Sequence, residues 1–248
     1  MTELVLAPLG QVESVGLIGG KARALSQLIN SGFNVPPGFV ITAASLQQMS
    51  PELEKAVLES FDDLAAKLVA VRSSAAAEDG KNDAWAGQMD TFLNIDRAHL
   101  LNAVKKCWDS ANSARAKAYA KQKNLAAGGV AVVVQAMVQG DVSGVAFSVH
   151  PVTQNPNHMI IEAVPGLAES LVSGEATPDN YVIDKRTGKT LENHLAGVEK
   201  LLSDKQIRQV AKTVGQLEHY FGFPIDVEWT FAGSQLFILQ SRPITTLG

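Results

Sequence analysis

The sequence predicts an α+β protein built as two lobes, and three features carry that expectation. Helical and buried-strand patterns alternate through the first half of the chain, strands dominate after the pair Gly128-Gly129, and the chain finishes in two alternating strands joined by a tight turn. The lobes are accordingly expected at residues 1–127 and 128–248.

In chain order, Gly19-Gly20 opens an amphipathic helix with Ala24, Leu25, Leu28 and Ile29 on one side. Gly32 closes it before Val35-Pro36-Pro37-Gly38, which cannot continue a helix. A buried strand at 39–42 follows, then a helical stretch to about Lys67 and a short apolar strand at 68–71, with Arg72 at its end. From Ser73 to Gln88 the periodicity vanishes and small, acidic and glycine residues take over, as in a functional surface loop. Asp96 caps a long helix expected to reach about Gln122, apolar at Leu100, Leu101, Val104, Trp108 and Ala111. Beyond Gly128-Gly129 come strands at 130–138, 144–149, 159–164 and 181–184. A helix then opens on a capping box of Ser203 and Gln206 and stops at Gly222.

Composition narrows the function classes. The 248 residues are 46% hydrophobic and 19% charged with a net charge of -4, a soluble globular balance. The 21 Lys and Arg are dispersed, so there is no electrostatic footprint for nucleic acid. The lone cysteine, Cys107, cannot form an internal disulfide and fits a reducing compartment as a small apolar residue. The start, Met1-Thr2-Glu3-Leu4, lacks the cations of a signal peptide, and no apolar run reaches the ~18 residues of a membrane span. A cytoplasmic protein without a membrane partner is expected.

The final hairpin concentrates the chemistry. In Ile225-Asp226-Val227-Glu228-Trp229-Thr230-Phe231 the even positions are polar and the odd ones large and apolar, so one face is core and the other is exposed to a site. On the return strand Gln240 and Arg242 share a face with Leu236 and Ile238. A three-residue turn at 232–234 would pair Asp226 with Gln240 and leave Glu228 and Arg242 as diagonal neighbours. Two carboxylates and an amide oxygen suit Mg²⁺, with the guanidinium facing phosphate; a solvated strand face carrying an ordinary ion pair has the same pattern. Lys21 and Arg72 stand beside glycine-rich or small-residue turns, where backbone N–H groups also point at anions, although surface cations at element ends read alike. Gly87 permits close backbone approach and Thr91 offers a hydroxyl, while neither GxxxxGK[ST] nor GxGxxG occurs.

Taken together, these segments resemble the ATP-binding module of phosphoenolpyruvate synthase, pyruvate phosphate dikinase and rifampin phosphotransferase, within the ATP-grasp superfamily. The resemblance spans nearly the whole chain. It rests on Gly19-Gly20-Lys21-Ala22, Val35-Pro36-Pro37-Gly38-Phe39, Val71-Arg72-Ser73-Ser74-Ala75 with Glu78-Asp79, and Ala86-Gly87-Gln88 with Thr91-Phe92-Leu93-Asn94. Further on come Val134-Gln135-Ala136-Met137-Val138, Ser143-Gly144-Val145-Ala146-Phe147-Ser148, Gly166-Leu167-Ala168-Glu169, and Asp226-Val227-Glu228-Trp229 with Gln240-Ser241-Arg242-Pro243. The resemblance implies an ATP-grasp fold with the nucleotide cleft between the lobes. It implies that Lys21 and Arg72 hold the ATP phosphates, that Gly87 and Thr91 belong to a loop closing over them, and that Gln135 lies near the adenine. Glu228 and Gln240 match Mg²⁺ positions, Asp226 is an accessory to the metals, and Arg242 is the phosphate-facing arginine.

The chemistry so implied is an ATP- and Mg²⁺-dependent dikinase-type phosphotransfer with AMP as product. The acceptor in the family is a histidine in a Gly-Gly-x-Thr-type loop on a swivelling domain. The five histidines here, His99, His150, His158, His194 and His219, follow no such loop, and no barrel that binds phosphoenolpyruvate or pyruvate is expected within these 248 residues. The chain is also shorter than the usual module between Ser50 and Leu68 and around 124–130. The expectation is therefore the nucleotide half-reaction, served by a separate phosphohistidine-domain protein and a phosphoenolpyruvate- or pyruvate-binding protein. A catalytically incomplete ATP-binding regulatory or interaction module and a direct small-molecule phosphotransferase are the alternatives.

Overall fold

The run 130–134 is apolar at every position where a half-exposed strand would alternate, and the computed structural model shows why. It describes residues 5–12, 14–45, 47–75, 91–111, 130–172 and 174–244, and it divides into two compact units, Met1–Met137 and Val138–Gly248. Unit 1 holds an antiparallel five-stranded sheet in the order β1-β2-β5-β3-β4, from β1 (Leu6–Pro8), β2 (Gly38–Ile41), β3 (Val69–Ser74), β4 (Thr91–Ile95) and β5 (Ala131–Ala136). Helix α1 (Val15–Asn30) buries Ile18, Ala22 and Leu25 against Ala7, Val40, Ala131 and Val133 on one face. Helices α2 (Pro51–Asp63) and α3 (Leu100–Ala111) bury Val57, Phe61, Val104 and Trp108 against Phe39, Ile41, Val71, Val132 and Val134 on the other. The central strand β5 thus has core on both sides, which makes its apolar run continuous.

Strand β5 also moves the division of the chain. It pairs with β2 and β3, and the Met137 N–H bonds the Leu68 carbonyl, so residues 130–137 belong to the first unit and not, as the 127/128 division had it, to the second. The helical stretch expected after residue 42, to about 67, is two pieces, a 3-10 turn at Ala43–Ser45 and α2. Pro51 has no N–H to give and disfavours a helical residue before it, while the Ser50 hydroxyl accepts from the Leu53 N–H at 3.3 Å and starts the helix afresh. The Asp96 carboxylate accepts from the His99 N–H at 3.0 Å just ahead of α3, whose continuation toward Gln122 lies outside the described residues.

Unit 2 is a six-stranded antiparallel sheet in the order β11-β10-β6-β7-β8-β9. Its strands are β6 (Val142–Phe147), β7 (His158–Pro165), β8 (Asp179–Asp184), β9 (Thr190–His194), β10 (Ile225–Ala232) and β11 (Gln235–Pro243), with a short α4 (Glu169–Val172) between β7 and β8. Helix α5 (Asp204–Phe221) packs on β10, β6 and β7 through Ile207, Val210, Val214 and Leu217. Its capping box of Ser203 and Gln206 and its left-handed Gly222 stop lie where the sequence placed them. Val227, Trp229 and Phe231 are fully buried on the odd face of β10. Among the described residues no helix is long and apolar enough to cross a membrane.

Gly144 in β6 is a spatial requirement: a Cβ built there collides with the Glu162 carbonyl and the Trp229 ring, whereas one at Gly215 in α5 meets nothing within 4 Å. Gly144→Ala is therefore expected to cost roughly 1–3 kcal/mol through forced displacement of core groups. Gly215→Ala should leave stability unchanged or raise it by up to ~1 kcal/mol. Urea unfolding of both variants checks the pair.

Candidate functional site

In unit 1 the site begins at a break in α1. Gly19, at φ 75° and ψ 174°, interrupts the helix where a Cβ would strike the Ser74 backbone, so only glycine lets the chain pass this close to the end of β3. The helix restarts against that strand. The Gly20 N–H donates to the Ala75 carbonyl at 2.9 Å, the Ala22 N–H to the Ser74 hydroxyl at 3.1 Å, and that hydroxyl donates to the Ile18 carbonyl at 2.7 Å. Lys21 is buried in this joint, its Nζ 2.9 Å from the Ser73 carbonyl. The backbone next to Arg72 therefore fixes the ammonium.

Arg72 is half-buried on β3, paired with Val133 on one side and Thr91 on the other. Its partner Val133 lies in the core layer under α1, which puts Arg72 and Thr91 on the α1 face. Gln135 is a diagonal neighbour on that face, opposite Ala70 and Gly38, buried to 3% exposure with its amide donating to the Pro36 carbonyl at 3.3 Å. Lys21, Arg72, Thr91 and Gln135 thus converge on one face of one sheet. Gly87 lies outside the described residues. Ser74 was not singled out by sequence reasoning, although a hydroxyl two residues beyond Arg72 was its signal.

In unit 2 the hairpin register differs from the expected one. The turn is the two-residue Gly233-Ser234, and β11 carries a bulge opposite the Glu228–Trp229 step, so Asp226 faces Arg242 and Glu228 faces Gln240. Each change shifts the pairing by one residue, and two shifts restore the face: the same four side chains still share it, in exchanged partnership. The bulge also explains the return strand. Ile238 and Leu236 pair with Trp229 and Phe231 on the core face, and past the bulge Gln240 and Arg242 turn to the polar one.

Arg242 Nε donates to Asp226 Oδ2 at 2.8 Å. Asp226 Oδ1 and Gln240 Oε1 are both buried without a hydrogen-bond partner, and Glu228, opposite Gln240, is half-buried. Among the described residues no three His, Cys, Asp or Glu gather as a metal cluster. Two carboxylates and an amide oxygen, two of their acceptor atoms desolvated and unsatisfied, are nevertheless the kind of oxygen donors that a hard cation takes. Burial pushes the Asp226 carboxyl up to about 6; the Arg242 charge and hydrogen bond pull it down, and the nearby Glu228 charge pushes it further up. The histidines lie elsewhere: His99, His194 and His219 are exposed, His150 Nδ1 accepts from the Val152 and Thr153 N–H groups, and His158 opens β7.

An acid whose folded pKa lies above its unfolded value binds more protons when folded, so its contribution to stability falls as pH rises from about 4 to about 6. In metal-free buffer, Asp226→Asn is expected to remove that loss, roughly 3 kcal/mol at most. The difference between wild-type and variant unfolding free energies, measured at both ends of the window, checks it.

With this geometry in hand, the chain proves similar to known proteins. Residues 44–200 and 196–248 match the family described as pyruvate phosphate dikinase, AMP/ATP-binding domain. A probable phosphoenolpyruvate synthase of Methanothermobacter thermautotrophicus is 35% identical, the match covering 95% of this chain and 45% of that protein. The uncharacterized phosphotransferase YvkC of Bacillus subtilis is 32% identical over 95% of this chain and 34% of its own. The prodigiosin synthesizing transferase PigC of Serratia marcescens is 31% identical over 92% and 32%. The chain thus spans less than half the length of these relatives. Among solved structures, PH1788 from Pyrococcus horikoshii superposes with a TM-score of 0.51 over 92% of both chains at 17% identity, a likeness of fold.

Proposed function

Because the chain belongs to the pyruvate phosphate dikinase AMP/ATP-binding domain family, of α+β ATP-grasp type, we propose that it binds ATP with Mg²⁺ and carries the nucleotide half of a dikinase-type phosphotransfer. The acceptor in this reading is a histidine outside the 248 residues, on a phosphohistidine-domain partner that in turn serves a phosphoenolpyruvate- or pyruvate-binding protein. The observation that carries the proposal is the pair of buried, unsatisfied acceptors, Asp226 Oδ1 and Gln240 Oε1, beside an arginine held by Asp226.

Each residue then has a task that its surroundings suit. Lys21 and Arg72 bind phosphate oxygens and neutralise charge that develops during transfer, and the Ser73 carbonyl that Lys21 now contacts keeps the ammonium in place. Glu228, Gln240 and Asp226 hold the Mg²⁺, which supplies charge neutralisation and orientation of the phosphates. Arg242 presents its guanidinium to the phosphoryl group, oriented by its bond to Asp226. Thr91 and Gly87 contribute to the loop that covers the phosphates, and Gln135 reads the adenine from its fixed position on β5. No covalent protein nucleophile is required. That all five histidines lie outside a Gly-Gly-x-Thr loop supports an external acceptor.

Mg²⁺ and ATP at 100 times the dissociation constant are expected to raise stability by about 2.7 kcal/mol. Thermal melts should show that gain in the wild type and its loss in Lys21→Ala and Glu228→Ala. AMP released when a histidine-bearing partner domain is added supports the dikinase reading. Stabilisation without AMP or ADP, whatever partner is added, would instead favour the regulatory module, and unchanged binding by both variants would refute the site.

A further inference from the structure

A side chain from β3 fills the break in α1. In an unbroken helix the Ala22 N–H would donate to the Ile18 carbonyl, four residues back. Here the Ser74 hydroxyl stands between those two groups, accepting from the Ala22 N–H at 3.1 Å and donating to the Ile18 carbonyl at 2.7 Å. A hydroxyl has one proton and two lone pairs, so one serine completes both halves of a ladder bond that the helix has given up. Ile18, Ala22 and Ser74 are fully buried, where neither backbone group could turn to water instead.

Three consecutive residues of α1 are tied in this way to the end of β3. The Gly20 N–H bonds the Ala75 carbonyl, Lys21 Nζ the Ser73 carbonyl, and the Ala22 N–H the Ser74 hydroxyl. Two of these acceptors are main-chain carbonyls, present whatever the side chain; the third is the link that a substitution can remove. Ser74 pairs with Ala131 and Arg72 with Val133, so both stand on the α1 face of β3. Helix stability does not ask for this arrangement. An uninterrupted helix would keep its own bond and need neither the serine nor a left-handed residue at Gly19. What the interruption produces is the placement of Lys21, buried at the first turn of the restarted helix beside the strand that carries Arg72.

We propose that Ser74 is a positioning residue for phosphate binding: by holding the helix open at Gly19, its hydroxyl sets where the Lys21 ammonium stands. The assignment rests on the ATP reading, in which Lys21 binds phosphate oxygens, and adds to it a residue that acts only through Lys21. Loss of the hydroxyl therefore costs affinity for the phosphates and not for the rest of the nucleotide, and costs nothing once Lys21 is gone.

Dissociation constants of ATP and of adenosine, which carries no phosphate, are to be measured at fixed Mg²⁺ for wild type, Ser74→Ala, Lys21→Ala and the double variant, with urea unfolding of each. Ser74→Ala should weaken ATP roughly tenfold, the scale of one hydrogen bond to a charged group. Adenosine should stay within about twofold, and in the Lys21→Ala background the serine change should alter ATP affinity by less than about twofold. Ser74→Cys keeps a weak donor and acceptor in nearly the same shape and should fall between wild type and Ser74→Ala; it carries the comparison if the alanine variant does not fold. A serine variant that unfolds at lower urea yet binds ATP as wild type does overturns the assignment. Equal weakening of ATP and adenosine overturns it too, as does a tenfold effect that persists without Lys21. Wild type that binds neither ligand overturns the ATP reading itself, an outcome distinct from tight ATP binding that is indifferent to Ser74.

Discussion

One extra residue in β11 decides what unit 2 can be. Without the bulge opposite Glu228–Trp229, a strand that places Leu236 and Ile238 in the core would place Gln240 and Arg242 there too, and neither has a partner among Val227, Trp229 and Phe231. The bulge lets a single hairpin be core at its closed end and site at its open end. Everything proposed for the metal and for Arg242 depends on that change of face, and so does the desolvation that leaves Asp226 and Gln240 oxygens unsatisfied. The cost falls on a strand at the edge of the sheet, where irregular pairing disturbs one neighbour only.

Unit 1 reaches a comparable result with different means. Its cation is fixed by backbone, through a glycine that only a left-handed, Cβ-free residue can replace, and by the carbonyl next to Arg72. The fold therefore keeps Lys21 ordered beside the Ser73 carbonyl.

Much of this was legible in the amino acids. The alternation of 225–231 and the capping box at Ser203 are local signals that report local geometry faithfully, whereas Arg72, expected at the end of a strand, lies within β3 (Val69–Ser74), and the helix expected to open at Gly19-Gly20 begins at Val15 and only breaks at Gly19. The hairpin partners were misassigned because a bulge and a shortened turn leave no mark in a two-residue period when they act together. The lobe boundary moved because the pairing of 131–136 with β2 and β3 is non-local; an apolar run says that a strand is buried, but not by which sheet.

The topology of unit 2 bears on how the molecule comes to exist. Strands β6 to β9 form a meander of sequential neighbours, which local contacts can assemble, whereas β10 follows α5 in the chain and returns to pair with β6. That closure spans the whole unit and is the slow kind of contact to make. The residues proposed to hold the metal ride on the two strands it adds. A nascent or partly opened unit can thus possess an ordered meander and no trace of the site, and the appearance of ligand binding during refolding would report the last step of sheet assembly.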